Sequence, residues 1–262
     1  MDKTQVDKTK QRRDFLKASS WKAVRASGHV SDQMKELPPP PVQKPYPEDA
    51  ELIVLIAPEK LTVGNAPLRE TIGRRRSRRE YTNDPLSLEE LSYLLWATQG
   101  VTESYEMGGG IGTRRTVPSG GSRHTFETYL GINRVEGISP GLYRYLPLDH
   151  KLVFLYSDPK LPQRLAAGCL GQDFVADAAV VFAWTTIPYR MEWRYTIVSP
   201  KIIALDAGHV CQNLYLAVES IGAGMCAIAA YDQEEMDAIL QVDGLDEFTI
   251  YVAPVGKHEG NG

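Results

Sequence analysis

The chain has 262 residues, 43% hydrophobic and 24% charged, with a formal net charge of −4, which is apolar material enough for one or two domains of ordinary globular density. The acidic balance excludes a general nucleic-acid or membrane-surface binder, because those partners need a basic excess spread along a face. Cys169, Cys211 and Cys226 stand far apart with no C-x-x-C, so they indicate neither a disulfide framework nor a zinc site and fit a reducing cytosol.

In chain order, "QRRDFLKASS" (11–20) has the order of a twin-arginine export signal. The continuation "SSWKAVRASGHVSDQ" breaks it, because Lys22, Arg25 and His29 interrupt the apolar region an export signal requires. No apolar run approaches the roughly 18 residues of a bilayer span, so a soluble, cytoplasmic protein is expected. Residues 1–48 are polar and end in "LPPPPVQKPYPED", a proline-rich stretch that is extended and belongs to no central sheet. They are read as an arm or linker ahead of one domain at 49–262.

"ELIVLIA" (51–57) reads as a short buried strand. In "PLSLEELSYLLWATQG", Ser87 and Glu90 make a capping box, Leu88, Leu91, Leu94 and Leu95 share a face, and Gly100 stops the helix. "MGGGIGTRRTVPSGGSRHTFETYLGIN" reads as a glycine-rich loop running into an alternating strand from about Thr125. "GLYRYLPLDHKLVFLY" is a hairpin signal about Pro147–His150, and 178–185 reads as a buried strand. The helix "ALDAGHVCQNLYLAVESI" carries Ala207, Val210, Cys211, Leu214, Val218 and Ile221 at helical period and ends at Gly222. "MCAIAA" is strand-like, a helix starts at an Asp232 N-cap with Glu235 three residues on, and "FTIYVAPV" is a final strand. Helices and hairpins interleave throughout, which favours an α+β layer fold.

Several catalytic patterns fail on context. "GAGMCA" matches a dinucleotide fingerprint but lies after a helix and before a strand, the reverse of what the phosphate cradle needs. "GGGIG" lacks the Lys-Ser/Thr of a P-loop, the five histidines show no paired ligand spacing for a metal, and no G-x-S-x-G elbow is present. What remains is the concentration of Arg69, Arg74, Arg75, Arg76, Arg78 and Arg79 around Ser77. Arg75, Ser77 and Arg79 alternate, so an extended segment turns them to one side, offering two fork-shaped cations and a hydroxyl. That set matches a phosphate dianion; a solvated charged loop is the competing interpretation.

"RRRSRREYTNDPLSLEELSYLLWATQG", "RTVPSGGSRHTFETYL" and "DAGHVCQNLYLAVESIGAGMCAIAAYDQEEMDAIL" together resemble the nitroreductase family of flavoproteins, closest to its SagB-type dehydrogenase branch, over about residues 50–256. The arm likewise resembles the leader segment of SagB-type proteins. The resemblance implies a nitroreductase-like fold, a mixed and mainly antiparallel sheet flanked by helices with an extended N-terminal arm. It implies FMN, with Arg75, Arg76, Ser77 and Arg79 at its phosphate and ribityl chain. Pro118, Ser119, Gly120, Gly121 and Arg123 would lie beside the flavin ring, Ile228, Ala229 and Ala230 over it, and Lys257 near the phosphate. It also implies a homodimer with FMN between subunits. Small residues let backbone N–H groups approach a planar ring, and an N–H aimed at flavin N5 or N1/O2 tunes hydride acceptance.

SagB-type enzymes that oxidise peptide azolines carry a Lys-Tyr pair where this chain has Arg194 and Tyr195. Arginine is never deprotonated in this role and cannot act as the base, while Tyr195 can donate a proton. The expected function is therefore an FMN-dependent oxidoreductase working in ping-pong fashion through N5, from NAD(P)H to a nitroaromatic, a quinone or an unsaturated metabolite. The alternatives are azoline dehydrogenation and a non-catalytic flavin-binding protein.

Overall fold

In the computed structural model, residues 8–10 and 12–259 are described; the outermost parts of the predicted arm and the last residues of the chain fall outside that range. The elements in chain order are α1 (Ser19–Ala26), β1 (Leu52–Val54), α2 (Leu68–Arg74), α3 (Leu88–Gln99), β2 (Val101–Met107), β3 (Gly110–Arg115), β4 (Phe126–Ile132), β5 (Gly141–Leu146), β6 (Lys151–Tyr156), α4 (Leu161–Gly168), β7 (Val180–Thr186), α5 (Tyr189–Tyr195), α6 (Ser199–Ser220), β8 (Ala223–Met225), α7 (Gln233–Leu240) and β9 (Phe248–Lys257), with short 3-10 turns between some of them. Seven strands form one sheet in the order β1-β6-β5-β4-β7-β9-β8, and neighbouring strands in it run antiparallel. Isolated parallel bridges, Ser77 to Met225 and Leu86 to Val135, add the mixed character.

Strand β7 shows why the sheet is central. Successive side chains point to opposite faces; accordingly Val180, Phe182 and Trp184 enter a core with Leu91, Leu94 and Leu95 of α3 and Val210 and Leu214 of α6. Val181 and Ala183 enter a second core with Leu161 and Leu165 of α4 and Met236 and Ile239 of α7. A strand covered on both faces reads as one apolar run rather than an alternation. The same holds for β4, every residue of which is buried, so the alternating strand expected from about Thr125 is found as a doubly covered one.

The capping box of α3 forms as expected: Glu90 N donates to Ser87 Oγ and Ser87 N donates to the Glu90 carboxylate. Asp232 caps α7 by accepting from Glu235 N at 3.0 Å, and Gly222 follows α6 with φ of 68°. Two expectations change. Residues 101–115 form the hairpin β2–β3, so the start of the glycine-rich loop expected from Met107 is instead a turn and a strand, with Met107 paired to Gly110 across the Gly108-Gly109 turn. The arm is not extended throughout, since α1 lies within it, and its proline-rich end is sewn to the sheet. Arg144 donates to the carbonyls of Lys44 and Pro45, Arg115 to that of Val42, and Trp193 Nε1 to that of Leu37. Lys44 N donates to Glu127, and the Lys44 ammonium pairs with Glu247 at 2.5 Å. Among the described residues no helix is long and apolar enough to cross a membrane.

Candidate functional site

Helix α6 organises two clusters of the expected residues, one on each flank. Toward its C-terminal half stands Tyr215. The Arg75 guanidinium lies 5.1 Å from the Tyr215 ring centroid, within cation–π range. Ser77 Oγ is 2.9 Å from the Tyr215 hydroxyl, which also accepts a hydrogen bond from Ala227 N at 3.0 Å. The segment is held there by its backbone: Ser77 bridges Met225 in β8, and Arg78 N donates to the Met225 carbonyl at 2.8 Å. Tyr215 thus ties the arginine segment to the chain leading into Ile228, Ala229 and Ala230. Ile228 is buried and paired with Val252, whereas Ala229 and Ala230 are exposed.

The arginines divide by role. Arg74 and Arg78 both face Glu219, at 3.6 and 3.7 Å. Arg75, Arg76 and Arg79 have no carboxylate partner among the described residues. Arg79 lies 5.9 Å from the Phe174 ring centroid, and Arg76 donates back to the carbonyls of Gly73 and Arg75. Beside them opens a cavity of about 860 Å³ lined by residues 76–83, His258 and Glu259. Burial pushes the Cys226 thiol up, while Arg79 and Ser77 pull it back. Lys257 reaches this region through its carbonyl, which accepts from Thr82 N at 2.8 Å; its ammonium turns instead to Glu90 of α3.

On the other flank, near the N-terminal half of α6, sits the Pro-Ser-Gly-Gly turn. Ser119 Oγ donates to the buried Asp206 carboxylate at 2.7 Å, Gly120 N donates to it at 3.0 Å, and His124 N donates to Ser119 Oγ at 2.9 Å. Burial raises the Asp206 carboxyl above its ordinary range against the pull of Ser119 and Gly120. Pro118 is exposed at the turn's start. Gly121, Ser122 and His124 all take positive φ, 59°, 55° and 45°. For two non-glycine residues this is uncommon, and such strain gathers at functional sites. A side chain at Gly121 would meet the Tyr195 hydroxyl at 2.7 Å and Arg194 at 3.1 Å, so Arg194 and Tyr195 cover this turn. Arg123 donates to the Gly121 carbonyl at 3.1 Å and lies 5.1 Å from the Trp193 ring centroid. Burial, reinforced by Arg115 and Arg123, holds the His124 imidazole down to about 3, so it is neutral at physiological pH.

Tyr215, Asp206 and Glu219 were not singled out by sequence. Tyr215 lies one residue from the apolar face of α6, and Asp206 and Glu219 are carboxylates on a largely apolar helix. A buried acid needs a partner, and that was the available signal.

The model of the "Nitroreductase family" matches residues 72–257. MJ1384 of Methanocaldococcus jannaschii, a protein named as a nitroreductase, is 34% identical over 190 residues, which is 72% of this chain and 90% of that one. A solved structure named as a nitroreductase from Anabaena variabilis ATCC 29413 superposes with a TM-score of 0.66 at 23% identity, covering 83% of this chain and 43% of that longer one. A chain of the Escherichia coli microcin synthetase McbBCD complex with truncated pro-MccB17 superposes with a TM-score of 0.58 at 18% identity, over 92% of this chain and 93% of that one.

Proposed function

This chain belongs to the nitroreductase family and is an oxidoreductase, and we propose that it works with FMN, accepting a hydride from NAD(P)H and passing electrons to a small organic acceptor. The observation that carries this reading is the Arg75–Ser77–Tyr215–Ala227 cluster. It presents a guanidinium and a hydroxyl, and Ser77 lines the adjoining cavity.

The residues fit the cofactor. Three guanidiniums within five positions, Arg75, Arg76 and Arg79, lack a carboxylate among the described residues, and a phosphate dianion would relieve their mutual repulsion. Ser77 adds a hydroxyl. Gly121, at positive φ and packed against the Tyr195 hydroxyl and Arg194, admits no side chain, so the turn presents backbone alone. Bound FMN would supply a ring able to take up a hydride and return its electrons to a second substrate.

The chain's own groups then divide the work. Arg75, Ser77 and Arg79 bind the phosphate, and Tyr215 orients Arg75 and Ser77. Asp206 holds Ser119 and Gly120 so that the Gly120-Gly121 backbone faces the ring, and Ile228, Ala229 and Ala230 line its other side. Tyr195 Oη is the group placed to donate a proton to a reduced substrate. Arg194 remains a cation beside it.

The two clusters lie on opposite flanks of α6. Asp206 and Tyr215 are nine residues apart on α6, about 13 Å along the axis and about half a turn around it. Ala204, Leu205 and Gly208 are exposed on the outer side of α6, together with His209 and Gln212, and Leu205 is 55% exposed. Both facts support a homodimer in which the Pro-Ser-Gly-Gly turn of one copy meets the arginine segment of the other. The competing use is azoline oxidation; Tyr195 suits it, but Arg194 cannot be its base.

The test is the visible spectrum of the purified protein, followed by anaerobic titration with NADH and NADPH. The expected result is a yellow protein bleached by at least one donor and recoloured by a nitroaromatic or a quinone. A protein that takes up no FMN overturns the reading, and a yellow protein that no donor bleaches removes its catalytic half.

A further inference from the structure

The arginine pair at the Pro-Ser-Gly-Gly turn remains unexplained by a flavin phosphate. Arg123 is 4% exposed. Its Nε donates to the Gly121 carbonyl, one Nη donates to Met107 Sδ at 3.3 Å, and its plane lies over Trp193. No carboxylate pairs with it among the described residues. Its charged neighbour is a second cation: burial lowers the Arg123 guanidinium and Arg194 lowers it further. Arg194 is exposed, stacks 5.3 Å from the Tyr195 ring centroid, and packs with the Tyr195 hydroxyl over Gly121, its Cδ and Nε 3.1 Å from where a Cβ there would lie.

Two guanidiniums with no acid between them are costly to hold together, and a buried cation is tolerated where a counter-charge arrives. Two other buried arginines show the contrast, since Arg144 and Arg190 both pair with Glu127, at 3.3 and 2.6 Å, whereas the buried Arg115 is held by neutral acceptors, Gln99 Oε1 and the Val42 carbonyl.

Resting on the flavoprotein reading, we propose that Arg123 and Arg194, with the Tyr195 hydroxyl, form an oxyanion subsite at the Pro-Ser-Gly-Gly turn that recognises a carboxylate or phosphate group on the substrate. An arginine fork matches the planar pair of oxygens of a carboxylate, or two oxygens of a phosphate. The subsite therefore selects an anionic acceptor, or the phosphorylated form of the nicotinamide donor, and holds it beside the reacting face. Arginine in place of lysine at position 194 becomes a recognition device in which loss of a base is immaterial.

The test uses the full-length protein, with and without FMN, and follows the fluorescence of Trp193, which lies under Arg123, and of Trp21, which stacks edge-on to Tyr195 at 5.9 Å. Benzoate, its neutral counterpart benzamide, and inorganic phosphate are titrated against wild type, Arg194→Gln and Arg194→Lys. The expected result is saturable binding of benzoate or phosphate at least tenfold tighter than benzamide. Arg194→Gln should lose that preference and Arg194→Lys keep part of it. Benzoate without phosphate assigns the subsite to a carboxylate-bearing acceptor. Phosphate without benzoate, with NADPH binding more tightly than NADH, assigns it to the donor. Equal affinity for benzoate and benzamide with no phosphate binding, an undiminished preference in Arg194→Gln, or displacement of benzoate by FMN itself overturns the proposal. FMN uptake is read independently in the visible spectrum, so failure of the flavoprotein reading shows as a colourless protein and failure of the subsite as a yellow one without anion preference.

Discussion

Ser77 carries the most information per atom on the phosphate side. Its hydroxyl meets Tyr215 while its backbone is pinned to Met225, so replacing the side chain leaves the segment's path intact. Ser77→Ala and Arg75→Ala should each weaken FMN affinity by about 1.5–3 kcal/mol, the worth of a hydrogen bond to a charged group, which is about ten- to hundredfold in Kd. Equilibrium titration of FMN fluorescence against protein measures it, with thermal melting as a control for fold. Unchanged affinity in both variants would remove the phosphate from this segment. Arg78→Ala should behave differently, because Arg78 faces Glu219 and its loss acts on stability first. The alternation of Arg75, Ser77 and Arg79 was legible in the chain because an extended segment repeats every two residues. Tyr215 and Asp206 were not, because each acquires its role only when a distant loop folds against α6.

At the scale of elements, legibility followed local signals. Capped helices such as α3 and α7 declare themselves through side chains three residues apart, and the buried strand β7 through its apolar run. The hairpin β2–β3 hides because its strands are mostly exposed or half-exposed and polar around three consecutive glycines, leaving no hydrophobic period to detect. The arm hides for another reason: its attachment runs through backbone carbonyls, which sequence does not display. Lys44 bridges Glu247 and Glu127, the first through its ammonium and the second through its N–H, and Arg144 holds the carbonyls of Lys44 and Pro45. Although the domain boundary drawn at 48 follows composition, we propose that the folding unit begins before Val42. Deleting residues 1–28 should leave thermal stability close to wild type. Deletion through 48 should cost several kcal/mol, because Glu247 and Arg144 lose buried partners worth about 1–3 kcal/mol each. Denaturant unfolding of the two truncations decides it, and equal stability would return the boundary to 48.

For the whole molecule, the decisive relation is between cofactor and assembly. If the turn at Asp206 and the segment at Tyr215 meet only across two copies, FMN binding and dimer formation are linked, and each must strengthen the other. The outer face of α6 is where that linkage can be cut without touching either cluster. Leu205 is 55% exposed, and Leu68 on α2, which lies alongside Leu216, is 63% exposed. Exposed leucines of this kind, one on the long central helix and one on α2, suit a self-complementary two-fold contact. Leu205→Glu places like charges near the axis of such a contact while leaving Ser77, Tyr215, Ser119 and Asp206 in place. The expected outcome is a shift toward monomer in analytical ultracentrifugation, together with at least a tenfold loss of FMN affinity that recovers as protein concentration rises. A variant that becomes monomeric and keeps full FMN affinity would place the entire cofactor site within one chain, and the two flanks of α6 would then need separate explanations.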